Sequence, residues 1–350
     1  MHNELIFISG FIIFILAMLA IDLGLFTGSG NPVSTRQAAL MSVIWITLAF
    51  GFYLLILKYG NLLHHVDSFA TLQQINVNHF HHLTLNPNNL PAGLQLYRNN
   101  LALEFISGYV VEYALSVDNI FVMVLIFTAF AVDKKYYHKV LVWGIIGAIV
   151  MRFCFIFIGA TLIEHFHWIL YLFGAFLVYT GATMYINRNK KDEIDPEKNT
   201  IVKLASRYFA VYPKFSGDRF FVEIDQKKMI TPLFLVLLVI EGTDLVFAVD
   251  SIPAIFSITK DPYIVFFSNI LAILGLRSMF FLLVNVIDRF HYLKTGLSVL
   301  LAFVGMKMLA ANYVDKIGLT TGNSLLIILM ILVVSVVASL LFPKKKAVHR

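Results

Sequence analysis

The sequence predicts an all-α polytopic membrane protein of about nine transmembrane helices, containing two inverted three-helix repeats. Three observations predict it. Of 350 residues, 59% are hydrophobic and only 14% charged, with a mean hydropathy of +0.80; a soluble chain of this length cannot hide that much apolar surface. Nine apolar runs reach the roughly 20 residues needed to cross about 30 Å of hydrocarbon. Charged and glycine positions also recur in register through three successive runs, which apolar composition alone does not produce.

Taken in order, span 1 covers about residues 5–26 and reads as a retained helix, because it lacks a basic leader and a small-residue cleavage site. Span 2, about 38–57, completes an N-terminal unit of residues 1–57. Residues 58–100 form a loop with five histidines, His64, His65, His79, His81 and His82, beside Asp67. These side chains suit divalent metal, but no fixed ligand spacing is present, so a polar loop rich in His and Asn is the favoured reading. Spans 3 to 5, about 101–130, 139–162 and 166–186, make a unit of residues 101–187. The charged start of residues 188–229, "NRNKKDEIDPEKNT", marks a solvated linker with little structure of its own. Spans 6 to 8, about 231–258, 263–287 and 293–311, make a second unit of residues 230–312. Span 9, about 323–342, lies in a C-terminal segment, 313–350, that ends in a basic tail.

Charge orients the spans. Of 27 Lys and Arg, twenty fall on the side of the C-terminus, four on the other, and Arg152, Arg277 and Lys307 within spans. By the positive-inside rule the N-terminus is outside and the C-terminus cytoplasmic. The net charge of +6 is thereby explained without nucleic acid. The lone cysteine, Cys154, excludes an internal disulfide or a thiolate metal cluster.

The repeat is read directly. "FHWILYLFGAFLVYTGATM" matches "FHYLKTGLSVLLAFVGMKM" at an offset of 124, pairing Gly181 with Gly305. One helix earlier Arg152 matches Arg277 at 125, and one earlier again "EYALSVDNI" matches "DLVFAVDSI" at 132. Three helices per unit is an odd number, so the second unit enters the membrane upside down, as in many secondary transporters.

Within these apolar runs stand Glu112, Asp118, Glu241, Asp244 and Asp250, against Arg152 and Arg277. A carboxylate at bilayer depth costs roughly 2.5 kcal/mol or more on insertion scales, so such residues mark pathways or pairs. Each arginine can neutralise one acid, leaving three for a divalent cation. Asn119 and Ser251 beside them complete an all-oxygen set that suits manganese, magnesium or calcium. Six residues separate Glu112 from Asp118 and Asp244 from Asp250, so each pair points about 240° apart on a regular helix. Pro253 is expected to interrupt span 6 and free carbonyls near Asp250. No Walker loop, GxSxG or HExxH occurs, and enzymatic chemistry is not expected.

The stretches "LAIDLGLF", "EYALSVDNIFV", "WGIIGAIVMR", "EGTDLVFAVDSIPAIFSIT", "SNILAILGLR" and "DRFHYLKTGLSVLLAFVGMKM" closely resemble the TerC family of bacterial membrane proteins, from about residue 16 to 312. The resemblance implies a multi-pass inner-membrane protein of the LysE-type transporter group, linked to manganese export and, by historical name, tellurium resistance. It carries the metal pathway onto Glu112, Asp118, Asn119, Glu241, Asp244, Asp250 and Ser251, and adds Asp22 at the cytoplasmic end. The expected function is proton-coupled Mn²⁺ export with no resident cofactor. The alternative is an accessory protein that delivers metal to secreted enzymes or serves stress resistance without its own transport cycle. The expected partners are a divalent cation and the bilayer, with a homo-oligomer or secreted metalloenzymes left open. The chain departs from the family pattern in its long His-rich loop and at Gly242.

Overall fold

The computed structural model describes residues 9–18, 20, 34–79, 81, 83–166, 168–188, 195–196, 198–224, 226–284, 292–310 and 320–342. Asp22, His82, His167 and His291 lie outside the described residues. Among the described residues the chain is predominantly helical. A short helix α1 (Ser9–Met18) is followed by α2 (Thr35–Tyr59), α3 (Phe69–Asn78), α4 (Leu90–Ala129), α5 (Lys134–His165) and α6 (Ile169–Asn187). Next come α7 (Thr200–Tyr208) and a two-stranded hairpin, β1 (Phe221–Ile224) with β2 (Lys227–Ile230). The second half holds α8 (Pro232–Phe256), α9 (Pro262–Leu274), α10 (Leu276–Leu283), α11 (Leu293–Leu309) and α12 (Thr321–Leu341). Among the described residues seven segments are long and apolar enough to cross a membrane, α9 and α10 counting as one. The expected spans 1 and 8 are represented by the shorter α1 and α11.

Local chemistry sets the helix ends. Ser34 and Gln37 close a capping box at α2. Asn89, Asp133, Asn199, Asp261 and Thr320 each accept a backbone N–H at the start of α4, α5, α7, α9 and α12. Pro232 and Pro262 occupy first-turn positions, where no donor is lost.

Several expectations change. The helix that carries span 3 extends beyond it: α4 starts at Leu90 and runs for 40 residues, about 60 Å at 1.5 Å per residue, twice the hydrocarbon thickness. Its first turns, with α3, turn most of the 58–100 loop into folded structure, with Leu72, Tyr97 and Leu101 fully buried. Pro253 does not interrupt span 6. It sits in the last turn of α8, where the missing hydrogen bond falls at the helix end. The break comes instead in span 7, at Gly275 between α9 and α10, just before Arg277. Finally, residues 188–229 are more than a linker. The start is charged, but Ile201, Val202 and Ala205 recur at helical spacing, and α7 docks them on Phe130, Leu235 and Leu238. Gly242 makes room: a Cβ there would collide with the Ile201 side chain.

The spans pack around α9 and α10, which are enclosed almost completely. The N-terminal half of α4 and α9 meet α2 and α3, centred on Phe105, Tyr97 and Phe267. The C-terminal half of α4 meets α5, α8 and α10 around Phe127 and Phe280, whose ring centroids are 5.6 Å apart. On another side α4 meets α6, α11 and α12. Outward faces of α2, α5, α6 and α12 carry exposed Leu, Ile, Val and aromatic side chains, the surface a helix shows to lipid.

The α6–α11 contact is built on glycine. A Cβ on Gly181 would lie 2.7 Å from the Ser298 carbonyl oxygen and 2.9 Å from the Ala302 nitrogen. A Cβ on Gly305 would lie 2.7 Å from the Gly174 carbonyl oxygen and 2.8 Å from the Val178 nitrogen. Moving Gly181, Ser298 and Ala302 by the 124-residue offset lands on Gly305, Gly174 and Val178. The two helices therefore run antiparallel and exchange equivalent contacts, the pattern an inverted repeat at this offset requires.

Candidate functional site

The first helices of the two units, α4 and α8, cross beside α5 and α9 and bring the predicted acids together. The Arg152 guanidinium, fully buried on α5, is the hub. Its Nη1 donates to Glu112 Oε1, to Ser251 Oγ at 3.2 Å and to Asn269 Oδ1 at 3.0 Å; its Nη2 donates to Asp244 Oδ1 at 3.4 Å. Asn269 Nδ2 donates to Glu112 Oε2 at 3.1 Å, and Asn119 Nδ2 to Asp244 Oδ1 at 3.4 Å. Ser251 also hydrogen-bonds Glu112. Asn119 with Asp244 and Ser251 with Glu112 are the same contact displaced by 132 residues in opposite directions, again as two equivalent helices would make it.

One arginine thus serves two acids, not one. Asp244 Oδ2 and Arg152 Nε remain without hydrogen bonds although buried. Burying charges this deeply is tolerable only because the guanidinium fork and two amides meet most of the carboxylate lone pairs. The sequence reading missed Asn269. An amide inside the apolar run "FFSNILAILG" was the available signal.

The remaining acids take other faces, as their spacing requires. Glu241 lies one turn before Asp244 on the same face of α8, half-buried, its carboxylate over Gly147 of α5, where a Cβ would overlap it. Asp250 is half-buried on the opposite face and accepts a 3.1 Å hydrogen bond from Thr180 Oγ1 on α6. Neither meets a cationic side chain among the described residues. Asp118, equivalent to Asp250 in the first unit, is half-buried on α4. Arg277, equivalent to Arg152, is buried at the start of α10 with Nη1 3.2 Å from Nε2 of His138. His138, half-buried in the second turn of α5, thereby makes an interior contact. As the described side chains stand, no three His, Cys, Asp or Glu are gathered closely enough to chelate an ion.

A second polar cluster was not anticipated. His64 and His81, taken from sequence as loop residues, are buried beneath the 58–89 segment, while Asp67 is exposed, 4.0 Å from the likewise exposed His65. His81 Nδ1 lies 2.9 Å from Glu104 Oε1, and Glu104 also accepts from Asn100 at 2.6 Å and Thr259 at 2.6 Å. His64 Nδ1 meets the Tyr97 hydroxyl at 2.8 Å, and its Nε2 is 3.6 Å from Asp261 Oδ2. Burial alone would lower the His81 pKa, but the Glu104 carboxylate outweighs it and leaves that pKa raised. Nearby, burial and then the charge of Lys307 bring the Lys260 pKa down to about 8. Glu104 sits two turns before Glu112 on α4, inside the apolar run "LALEFISGYV", and that position was the missed signal.

The integral membrane protein TerC family profile matches residues 97–347. The chain is 41% identical over 334 residues to "Uncharacterized membrane protein STKORF319" of Myxococcus xanthus, covering 95% of this chain and 91% of that one. It is 38% identical over 338 residues to the "Putative membrane-bound redox modulator Alx" of Photorhabdus laumondii, covering 96% and 95%. The Escherichia coli K12 protein of the same name is 39% identical over 305 residues, covering 87% and 85%. No solved structure matches the chain.

Proposed function

Since the chain belongs to the integral membrane protein TerC family, we propose that it exports divalent metal ions, manganese(II) foremost, across the bacterial inner membrane. The observation that carries this reading is the excess of acid over base in the interior. Arg152 is shared by Glu112 and Asp244, while Glu241 and Asp250 stand half-buried in an apolar helix with no cationic partner among the described residues. Acids left in that state favour a cation that brings its own charge. The donors around them are carboxylate, amide and hydroxyl oxygens, a set that suits Mn²⁺.

In this reading the residues divide their work. Asp118 and Asp250 are the ligands of the transported ion, with Glu241 on the approach. Glu112, Asp244, Asn119 and Ser251 around Arg152 form the joint on which the two units rock, and protonation of Glu112 and Asp244 couples proton entry to metal exit. Asp22 belongs to the cytoplasmic end and the N-terminus faces outside, a reading that the distribution of Lys and Arg supports. The relatives' printed name offers a redox role. The sole cysteine, Cys154, is exposed and cannot form a disulfide within one chain, so exchange of an internal dithiol is not the mechanism favoured here.

The test is Mn²⁺ flux in liposomes containing the purified protein. Asp118→Asn and Asp250→Asn, which keep shape and remove one charge each, are expected to insert at normal abundance and to lose at least tenfold in flux. Undiminished flux in both variants would remove the assignment.

A further inference from the structure

Three histidines and two acids with no part in that pathway converge where the 58–89 segment folds over α4 and the start of α9. His64 and His81 are buried, and Asp261 is wholly so. The His79 ring stands between the other two imidazoles, with centroids 5.0 Å from His64 and 5.9 Å from His81. Asp261 is near enough to act electrostatically on both His79 and His81. Three polar atoms in this cluster are buried without a hydrogen bond: His64 Nε2, His81 Nε2 and Asp261 Oδ2.

The unpartnered atoms have the chemistry of ligands. As a carboxylate Glu104 only accepts, so at 2.9 Å it favours the proton on His81 Nδ1 over the longer 3.3 Å approach of the Asn100 amide, and a neutral His81 then carries its lone pair at Nε2. An imidazole steered from behind by a carboxylate, with its other nitrogen turned inward, is the usual support of a metal-bound histidine. Tyr97 fixes the His64 ring from behind through Nδ1 at 2.8 Å, and accepts from it in the tautomer that leaves a lone pair at Nε2. Asp261 uses Oδ1 to cap α9, accepting from Tyr263 N–H at 2.9 Å, and keeps Oδ2 for the interior. The 3.6 Å between His64 Nε2 and Asp261 Oδ2 lets one ion sit about 2.1 Å from each at about 118°, near the tetrahedral value.

We propose that His64 and Asp261, joined by His81 and His79, form a divalent transition-metal site separate from the acidic centre in the spans. Two ligands are already placed. No three such side chains are gathered at bonding distance, so His81 and His79 close on the ion as it binds, His81 keeping its Nδ1 on Glu104. Two or three imidazoles with one carboxylate suit zinc, cobalt or nickel rather than magnesium or calcium. An ion here would tie the 58–89 segment to α4 and α9, the helices that carry Glu112 and Asn269. The site does not depend on the export reading.

The test is titration of the full-length protein in detergent, affinity tag removed, with Co²⁺ while its visible ligand-field bands are followed. One equivalent is expected to give the intense bands of a four- or five-coordinate site and to be displaced by Zn²⁺. His64→Gln and His81→Gln should abolish the bands. His65→Gln, at the exposed pair, and Asp250→Asn, in the export pathway, should leave them unchanged. If the buried variants do not fold, His79→Gln at the half-buried ring is expected to weaken Co²⁺ binding at least tenfold. Absence of a saturable band in the wild type, its survival in folded His64→Gln and His81→Gln, or unchanged affinity in His79→Gln overturns the site.

Discussion

Arg152 holds two carboxylates at once, and that sharing determines what its removal does. With Gln in its place, Glu112 and Asp244 would face each other inside the protein with only amides and a hydroxyl between them. Breaking a buried pair by removing one partner costs about 3–5 kcal/mol, because an uncompensated charge remains. Arg152→Gln is therefore expected to lower the melting temperature in detergent and the amount of protein in membranes. Adding Glu112→Gln should recover part of the loss, because the orphaned charge goes with it. If the double variant is no more stable than Arg152→Gln alone, these residues are not energetically paired. Arg152→Lys should not substitute well, since one ammonium cannot reach Glu112, Asp244, Ser251 and Asn269 with the same fork.

At the scale of elements, the α6–α11 contact depends on two backbones approaching where no side chain intervenes. A methyl group on Gly181 or Gly305 would press on backbone atoms of the other helix at 2.7 Å, and backbone cannot rotate away as a side chain can. Gly181→Ala and Gly305→Ala are each expected to destabilise by about 1–3 kcal/mol, the usual range for overpacking. Because both act by separating the same two helices, the double variant should lose clearly less than the sum. Gly51→Ala, on the open face of α2 with nothing within 4 Å, is the control and should be neutral or slightly stabilising. Thermal unfolding of the four proteins in one detergent decides this. Full additivity would show that the two glycines serve unrelated contacts.

At the scale of the whole molecule, the open quantity is which face of the membrane each end occupies. The structure supplies better reporter positions than sequence alone. Asn88 is exposed in the turn before α4, and Lys198 is exposed just before the Asn199 cap of α7. In a Cys154→Ala background, Asn88→Cys should react with an impermeant maleimide in cells whose outer barrier is permeabilised, and Lys198→Cys only after the inner membrane is opened. The reverse pattern would place the twenty basic residues outside and overturn the orientation.

Much of this protein was legible in its sequence, because a bilayer imposes one-dimensional rules. Length and apolarity alone mark a span, since every backbone polar group in hydrocarbon must bond within its own helix. The same solvent makes acids rare, so Glu112, Asp118, Glu241, Asp244 and Asp250 stood out by position. Glycine and charge at fixed offsets gave the expectation of a repeat, with which the exchanged α6–α11 contacts agree. By itself, then, the sequence determined the class, the family resemblance and the candidate acids, and located most of the apolar helices. Tertiary structure decided the pairings. That Arg152 joins Glu112 to Asp244, that Asn269 completes them, and that Asp250 turns to Thr180 follow from how α4, α5, α6, α8 and α9 cross. Periodicity along one helix carries no record of the angle at which another meets it. The 58–100 and 188–229 segments were misread for the related reason that polar composition reports average solvation. Burial of His64 and His81, and docking of α7 on Gly242, depend on neighbours more than 20 residues away in the chain.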